Sequence, residues 1–368
     1  MAPSRPLIQP STTITAPKRF VLKNLLCLII GLVMGIQVTL FWFEDATPME
    51  WRKYSSSNLT KASRDPYSNY AVEYLFNTTR VLCWIITQPE NHMTRAIHIR
   101  RTWGQRCNKL IFISTQEDER LPTISMPIEE GQEQVWNKTR LALKYIYDHH
   151  LNDADWFLKA EDDTFVIMEN LRWMLHSYSP DIPIYFGCKI RRHVEPDYIV
   201  GGSGLVLSKS ALKKFIDEAY ENCLEAYDLL QIDQDRILSN CLRNIDVIAG
   251  DSRDAFGQER FIPMPPRYVI PTFNMSWYPI EIYHQANENV SCCSPRAVSF
   301  HYFTEEDFYI FDYLLYSLRP FGIFQNSSWD LPSKFGDDEV RLKGLQDANI
   351  LPTILASLTT DSLNKETS

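Results

Sequence analysis

Trp156–Phe165 reads WFLKAEDDTF, an apolar run that ends in three consecutive carboxylates, Glu161, Asp162 and Asp163. Like charges this close repel, so the triplet either lies on a solvated turn or surrounds a cation. In an extended chain residues i and i+2 point to one side and i+1 to the other. Glu161 and Asp163 can therefore face one ligand, while Asp162 turns toward the fold. Hard oxygen donors of this kind suit Mn²⁺ or Mg²⁺, which commonly bridge a carboxylate and nucleotide phosphates. The competing reading is an acidic cluster capping the next helix, where carboxylates are favoured for their charge alone.

The flanking sequence places the triplet. VLCWIITQ (Val81–Gln88) and KLIFIST (Lys109–Thr115) read as buried strands, with a helical stretch carrying Arg95 and Arg100 between them. QVWNKTRLALKYIYDHHL (Gln134–Leu151) has apolar residues at helical spacing. The third strand follows and ends at the acids. TFVIMENLRWMLHSY continues as an amphipathic helix, then come strand-like IYFGCKI and YIVGGSGLVLSKSALKKFIDEAY. Strands alternating with helices predict an α/β domain with a largely parallel sheet. Ligands of such sheets bind beyond the C-terminal strand ends, where the triplet stands. GGSG (Gly201–Gly204) is read either as a tight strand-to-helix turn or as a place of close backbone approach.

Composition narrows the class. The chain has 368 residues, 45% of them hydrophobic, so it is globular and large enough for one big domain or two ordinary ones. A net charge of −9 argues against a nucleic-acid binder that works by neutralising phosphates. From Leu25 to Phe43 the chain carries no charge, about the length that spans a bilayer. Lys18, Arg19 and Lys23 precede this run and Glu44 and Asp45 follow it, so residues 1–24 are expected in the cytoplasm and the rest beyond the membrane. Bulky Phe41, Trp42 and Phe43 stand where a cleavage site would need small residues, which favours a retained signal anchor. The expected plan is tail 1–24, anchor 25–43, stem 44–79, catalytic domain 80–326 and a mobile C-terminal tail 327–368. Sequons at Asn58, Asn77, Asn137, Asn274, Asn289 and Asn326 all follow the anchor. Beyond Cys27 the chain has Cys83, Cys107, Cys188, Cys223, Cys241, Cys292 and Cys293 without metal-type spacing, so disulfides and one leftover thiol are expected. Pairings 83–107 and 223–241 are compatible with the spacing, which does not select them. The leftover thiol is also open to linking two chains.

IRRTWG (Ile99–Gly104), DADWFLKAEDDTFVIMENLRW (Asp153–Trp173), PIYFG (Pro183–Gly187), GGSGLVLSKSALKKF (Gly201–Phe215), AGDSRD (Ala249–Asp254) and CCSPRAVSFHY (Cys292–Tyr302) form an ordered series. Together they resemble the inverting β1,3-glycosyltransferase family, and within it the core 1 β1,3-galactosyltransferase branch. The resemblance runs from about Val81 to Ile323 and includes the membrane topology. It implies a GT-A fold, a type II Golgi membrane protein and transfer of galactose from UDP-galactose to GalNAc-bearing glycoproteins. It implies Mn²⁺, with Mg²⁺ as the alternative, bound by Asp163 and His301. The base that deprotonates the acceptor hydroxyl matches Asp235, with Asp233 as the local rival. Arg100, Glu161, Asp162 and Gly202 match donor-side positions, and Trp277, Tyr278 and Tyr283 match the aromatic acceptor region. A homodimer is expected from the same resemblance.

Three residues depart from the pattern. Glu161 stands for the usual first Asp, Gln234 for the Glu beside the base, and Cys188 for a basic residue. The first two touch the site, and they leave open a weak or inactive relative that partners an active enzyme, or a different donor or acceptor.

Overall fold

The computed structural model describes residues 29–34, 37, 66–131, 134–190, 198–223, 234–269, 293–318 and 331–340. The chain divides into a unit of residues 1–58 and one from 59 to 368. In the first unit, residues 29–34 are helical and exposed. No helix among the described residues is long and apolar enough to cross a membrane. Most of the anchor expected at 25–43 lies outside them.

In the larger unit the apolar runs become strands β1 (Val81–Ile86), β2 (Lys109–Ser114), β3 (Thr123–Ser125) and β4 (Trp156–Glu161). These pair in parallel, with β1 between β2 and β4 and β3 outside β2. Helix α1 (Pro66–Thr78) precedes them, α2 (Ile97–Arg101) links β1 to β2, and α3 (Val135–His150) leads into β4. After β5 (Phe165–Val166) and α4 (Met168–Leu175) come β6 (Ile184–Ile190) and β7 (Tyr198–Ser208), then α5 (Lys209–Lys214), α6 (Gln234–Asn244) and β8 (Ile248–Ala249). The seven-stranded order is β3-β2-β1-β4-β7-β6-β8. Strand β7 runs antiparallel to both β4 and β6. The expected parallel sheet thus holds on one side of β4 and reverses on the other.

Both faces of the sheet are covered, which is why its strands read as continuous apolar runs. Val81, Cys83 and Ile85 enter one core cluster, whereas Leu82 and Trp84 enter the other. A second, three-stranded sheet pairs β5 with β10 (Ser299–Phe300) and β10 with β9 (Phe261–Ile262). Disulfides join Cys83 to Cys107 and Cys223 to Cys241. Cys188 is a buried free thiol on β6, fully shielded, so it cannot reach a second chain while that strand is intact.

Two terminal stretches pack more closely than their composition suggests. Helix α1 lies within the expected stem, yet Leu75 is buried and the Phe76 carbonyl accepts a hydrogen bond from Asn108 Nδ2 at 2.9 Å. Within the expected C-terminal tail, the Phe335 amide donates to the Ser177 carbonyl at 2.8 Å and Val340 is buried. Sparse apolar residues identify neither stretch as core-bound, because the partner surface is supplied by distant residues.

Glu259, buried before β9, has its pKa raised to about 8 by burial first and by the Asp251 charge second. An acid whose folded pKa exceeds its unfolded value stabilises least when pH is high. Stability associated with Glu259 is present below about pH 4.5 and is lost as pH rises through about 8. Glu259→Gln should therefore unfold at a higher temperature than the parent at pH 8.5, by an effect worth roughly a few kcal/mol. The difference should vanish near pH 4.5, and a pH-independent difference in thermal unfolding would refute this account.

Candidate active site

Strand β4 carries the acidic triplet to the C-terminal edge of the parallel strands, with Glu161 paired in register with Ile86 of β1. The chain then turns through Asp162 and Asp163, and the Thr164 amide donates to the Glu161 carbonyl at 3.1 Å. Thr164 Oγ1 donates to the Gly202 carbonyl at 2.7 Å and ties the turn to β7. Beyond it β5 pairs antiparallel with β10, Phe165 opposite Phe300. His301 follows Phe300 directly. That pairing delivers the histidine to the acids, and the Phe303 amide, bonded to the Asp163 carbonyl at 2.9 Å, locks the register.

His301 Nε2 lies 3.0 Å from Asp163 Oδ1 and 3.4 Å from Glu161 Oε2. Both His301 Nε2 and Asp163 Oδ1 are shielded from water, and they face each other as an ion pair. Burial is the largest influence on His301 and lowers its pKa, but hydrogen bonds and charges from Asp163 and Glu161 outweigh it and raise the value to about 9. Glu161 is likewise pushed up by burial, and the opposing His301 hydrogen bond and Lys159 charge bring it below its ordinary value. One donor atom from each of Glu161, Asp163 and His301 falls within 4.8 Å of the others, so these residues fit a hard divalent cation.

Asp162, in the turn beyond β4, bonds toward Thr87 and Asn91. Its Oδ2 accepts from Thr87 Oγ1 at 2.8 Å and Asn91 Nδ2 at 2.9 Å. Burial raises its pKa, with those two bonds opposing. Arg95, half-exposed, stands 3.4 Å from both Asp162 Oδ1 and Asp163 Oδ2. Arg100, expected on the donor side, is instead exposed on α2 and lines a surface cavity with Gln105, Leu110, Glu119, Leu121 and Pro122. One turn of helix separates the two arginines, and periodicity alone could not say which faces the acids.

GGSG is not a turn. Gly201–Gly204 lie inside the strand β7. A Cβ on Gly202 would meet His301 Nδ1 at 2.7 Å, and one on Gly201 would meet Lys159 Nζ at 2.6 Å and the Asp235 carboxylate. Absent side chains are thus what lets the histidine and the Asp235 pair stand against β7. Gly204 adopts φ +93°, a left-handed conformation that favours glycine.

Asp235, in the first turn of α6, is 5% exposed. Its Oδ1 receives Lys159 Nζ at 2.7 Å and its Oδ2 receives the Gly201 amide at 2.7 Å. Lys159 has no solvent exposure at all. A lysine within an apolar strand is the signal that could have announced this pair, since buried ammonium groups need a partner. Gln234 accepts a hydrogen bond from Thr139 Oγ1 at 2.8 Å. Asp233, Trp277, Tyr278 and Tyr283 lie outside the described residues.

Comparison with known proteins now bears on this geometry. Residues 77–259 match the Fringe-like family model. Over 261 residues the chain is 40% identical to glycoprotein-N-acetylgalactosamine 3-beta-galactosyltransferase 1 of Xenopus laevis, covering 70% of this chain and 72% of that protein. The chain belongs to the core 1 β1,3-galactosyltransferase branch. It is a glycosyltransferase with a mixed α/β fold. More distant similarity extends to beta-1,3-glucosyltransferase of Mus musculus, 24% identical over 52% of this chain and 40% of that one. Chondroitin sulfate synthase 3 of Homo sapiens is 25% identical over 36% of this chain and 17% of its own length. The residues matched by the Fringe-like model include the triplet, β7 and α6, whereas His301 lies beyond them.

Proposed function

We propose that the chain transfers galactose from UDP-galactose to the 3-hydroxyl of GalNAc linked to Ser or Thr of glycoproteins, with inversion, on a GT-A-type domain. The observation that carries the reading is the convergence of buried Asp163 and His301, 3.0 Å apart, at the C-terminal strand edge. The similarity to the Xenopus laevis galactosyltransferase supports donor and acceptor. Asp163 and His301 would hold Mn²⁺ or Mg²⁺, which when bound supplies positive charge to a departing diphosphate. Arg95 adds a half-exposed guanidinium beside the same acids.

Asp235 is the proposed base for the acceptor hydroxyl. Its carboxylate is held by Lys159 Nζ and the Gly201 amide, which fixes its orientation. Lys159 holds the carboxylate in place from within the sheet. The protein is proposed to be a homodimer carried in the Golgi membrane by a single anchor at residues 25–43. A second reading, a non-catalytic partner of an active enzyme, draws on the small exposure of the Asp235 side chain, 7%.

The test is UDP release by the full-length protein in detergent, given UDP-galactose, Mn²⁺ and a GalNAc-Thr peptide. Turnover that needs the peptide and is abolished by EDTA is expected. Folded protein with no turnover would favour the partner reading, and turnover with UDP-GlcNAc alone would replace the donor.

A further inference from the structure

Glu161 is one methylene longer than the aspartate usual at this position, and its carboxylate reaches the point that Asp163 and His301 face. Its Oε2 lies 3.4 Å from His301 Nε2, and the three donor atoms are mutually within 4.8 Å. Two of them are committed to that point already. His301 and Asp163 are 6% and 9% exposed, and His301 Nε2 faces Asp163 Oδ1 at 3.0 Å. Buried oxygen and nitrogen donors that converge on one point are the arrangement a divalent cation takes. Gly202 makes room for the imidazole, because a Cβ there would collide with the ring. Glu161 sits at the open side of this pair, partly exposed.

Resting on the metal reading above, we propose that Glu161 is a third protein ligand of the divalent cation, so that the cation binds without the nucleotide. With Asp163 and His301 alone, the site supplies one negative charge and depends on the diphosphate for the rest. Glu161 would add a second carboxylate, which matches the charge of the ion and would make a donor set of two oxygens and one nitrogen. Ligand number and charge set divalent-cation affinity, and a preformed set spares the nucleotide that task.

Mn²⁺ alone is titrated into the full-length protein in detergent, and free Mn²⁺ is read from its EPR signal, with and without UDP. The parent should bind one Mn²⁺ without UDP. Glu161→Gln should weaken that binding by about tenfold or more. Glu161→Asp, too short to reach, should weaken it similarly without UDP and recover most of the loss when UDP is present. Thermal unfolding in EDTA verifies that both variants fold. Binding by Glu161→Gln as tight as the parent's, or parent binding only in the presence of UDP, overturns the third ligand while leaving the transferase reading intact. Unchanged binding in Asp163→Asn would place the ion elsewhere and overturn both.

Discussion

Asp163→Asn should lower metal-dependent turnover by about 10³-fold or more, the scale of losing one key electrostatic contact in a shielded site. The substitution keeps the shape of the side chain and the backbone bond from Phe303, so the fold should persist. What it removes is the charge on a group that is 9% exposed and faces His301 at 3.0 Å. Asp162→Asn is the informative companion. Its carboxylate serves Thr87 and Asn91, so it should cost activity mainly by loosening the turn and much less than Asp163→Asn. The measurement is UDP release at saturating Mn²⁺ for both variants, with thermal unfolding as the folding control. Parental turnover in folded Asp163→Asn would remove this residue from the site.

Lys159→Met should cost about 3–5 kcal/mol of stability, the usual penalty for stripping one partner from a buried ion pair. The side chains of Lys159 and Asp235 are 1% and 7% exposed, so water could not take the place of the lost ammonium. Adding Asp235→Asn to Lys159→Met should restore a large part of the loss, because the amide oxygen still accepts from the Gly201 amide and no bare charge remains. Urea unfolding of the parent, the single and the double variant decides the matter. A single-variant loss below about 1 kcal/mol would mean that the pair is solvated, as surface pairs are.

Much of the architecture was legible because it is local. The strands β1, β2 and β4, buried on both faces, are written as apolar runs, and the helical periodicity of Val135–His150 is clear. The acidic triplet marked a candidate ligand site, with a helix-capping cluster as the rival reading. Strand alternation predicted that Asp162 would turn away from Glu161 and Asp163; it does, but in the turn beyond β4, where the bonds from Thr87 and Asn91 orient it. Cysteine spacing admitted the 83–107 and 223–241 bridges, and the fold selected them.

Pairings between distant segments were not legible. His301 directly follows a two-residue strand whose composition is indistinguishable from ordinary core, and only the β5–β10 register carries it to Asp163. The antiparallel course of β7 turned an apparent glycine turn into strand, because the clearance that Gly201 and Gly202 provide is for side chains remote in the chain. Arg95 rather than Arg100 reaches the acids because the irregular turn before α2, and not α2 itself, lies beside the triplet. The sequence by itself determined which segments are strands and helices and where negative charge concentrates, since propensity, periodicity and like-charge repulsion act within a few residues. Register, the placing of Arg95 and the meeting of Lys159 with Asp235 were left to the folded chain, since they depend on closing long loops around a common core, which no single segment encodes.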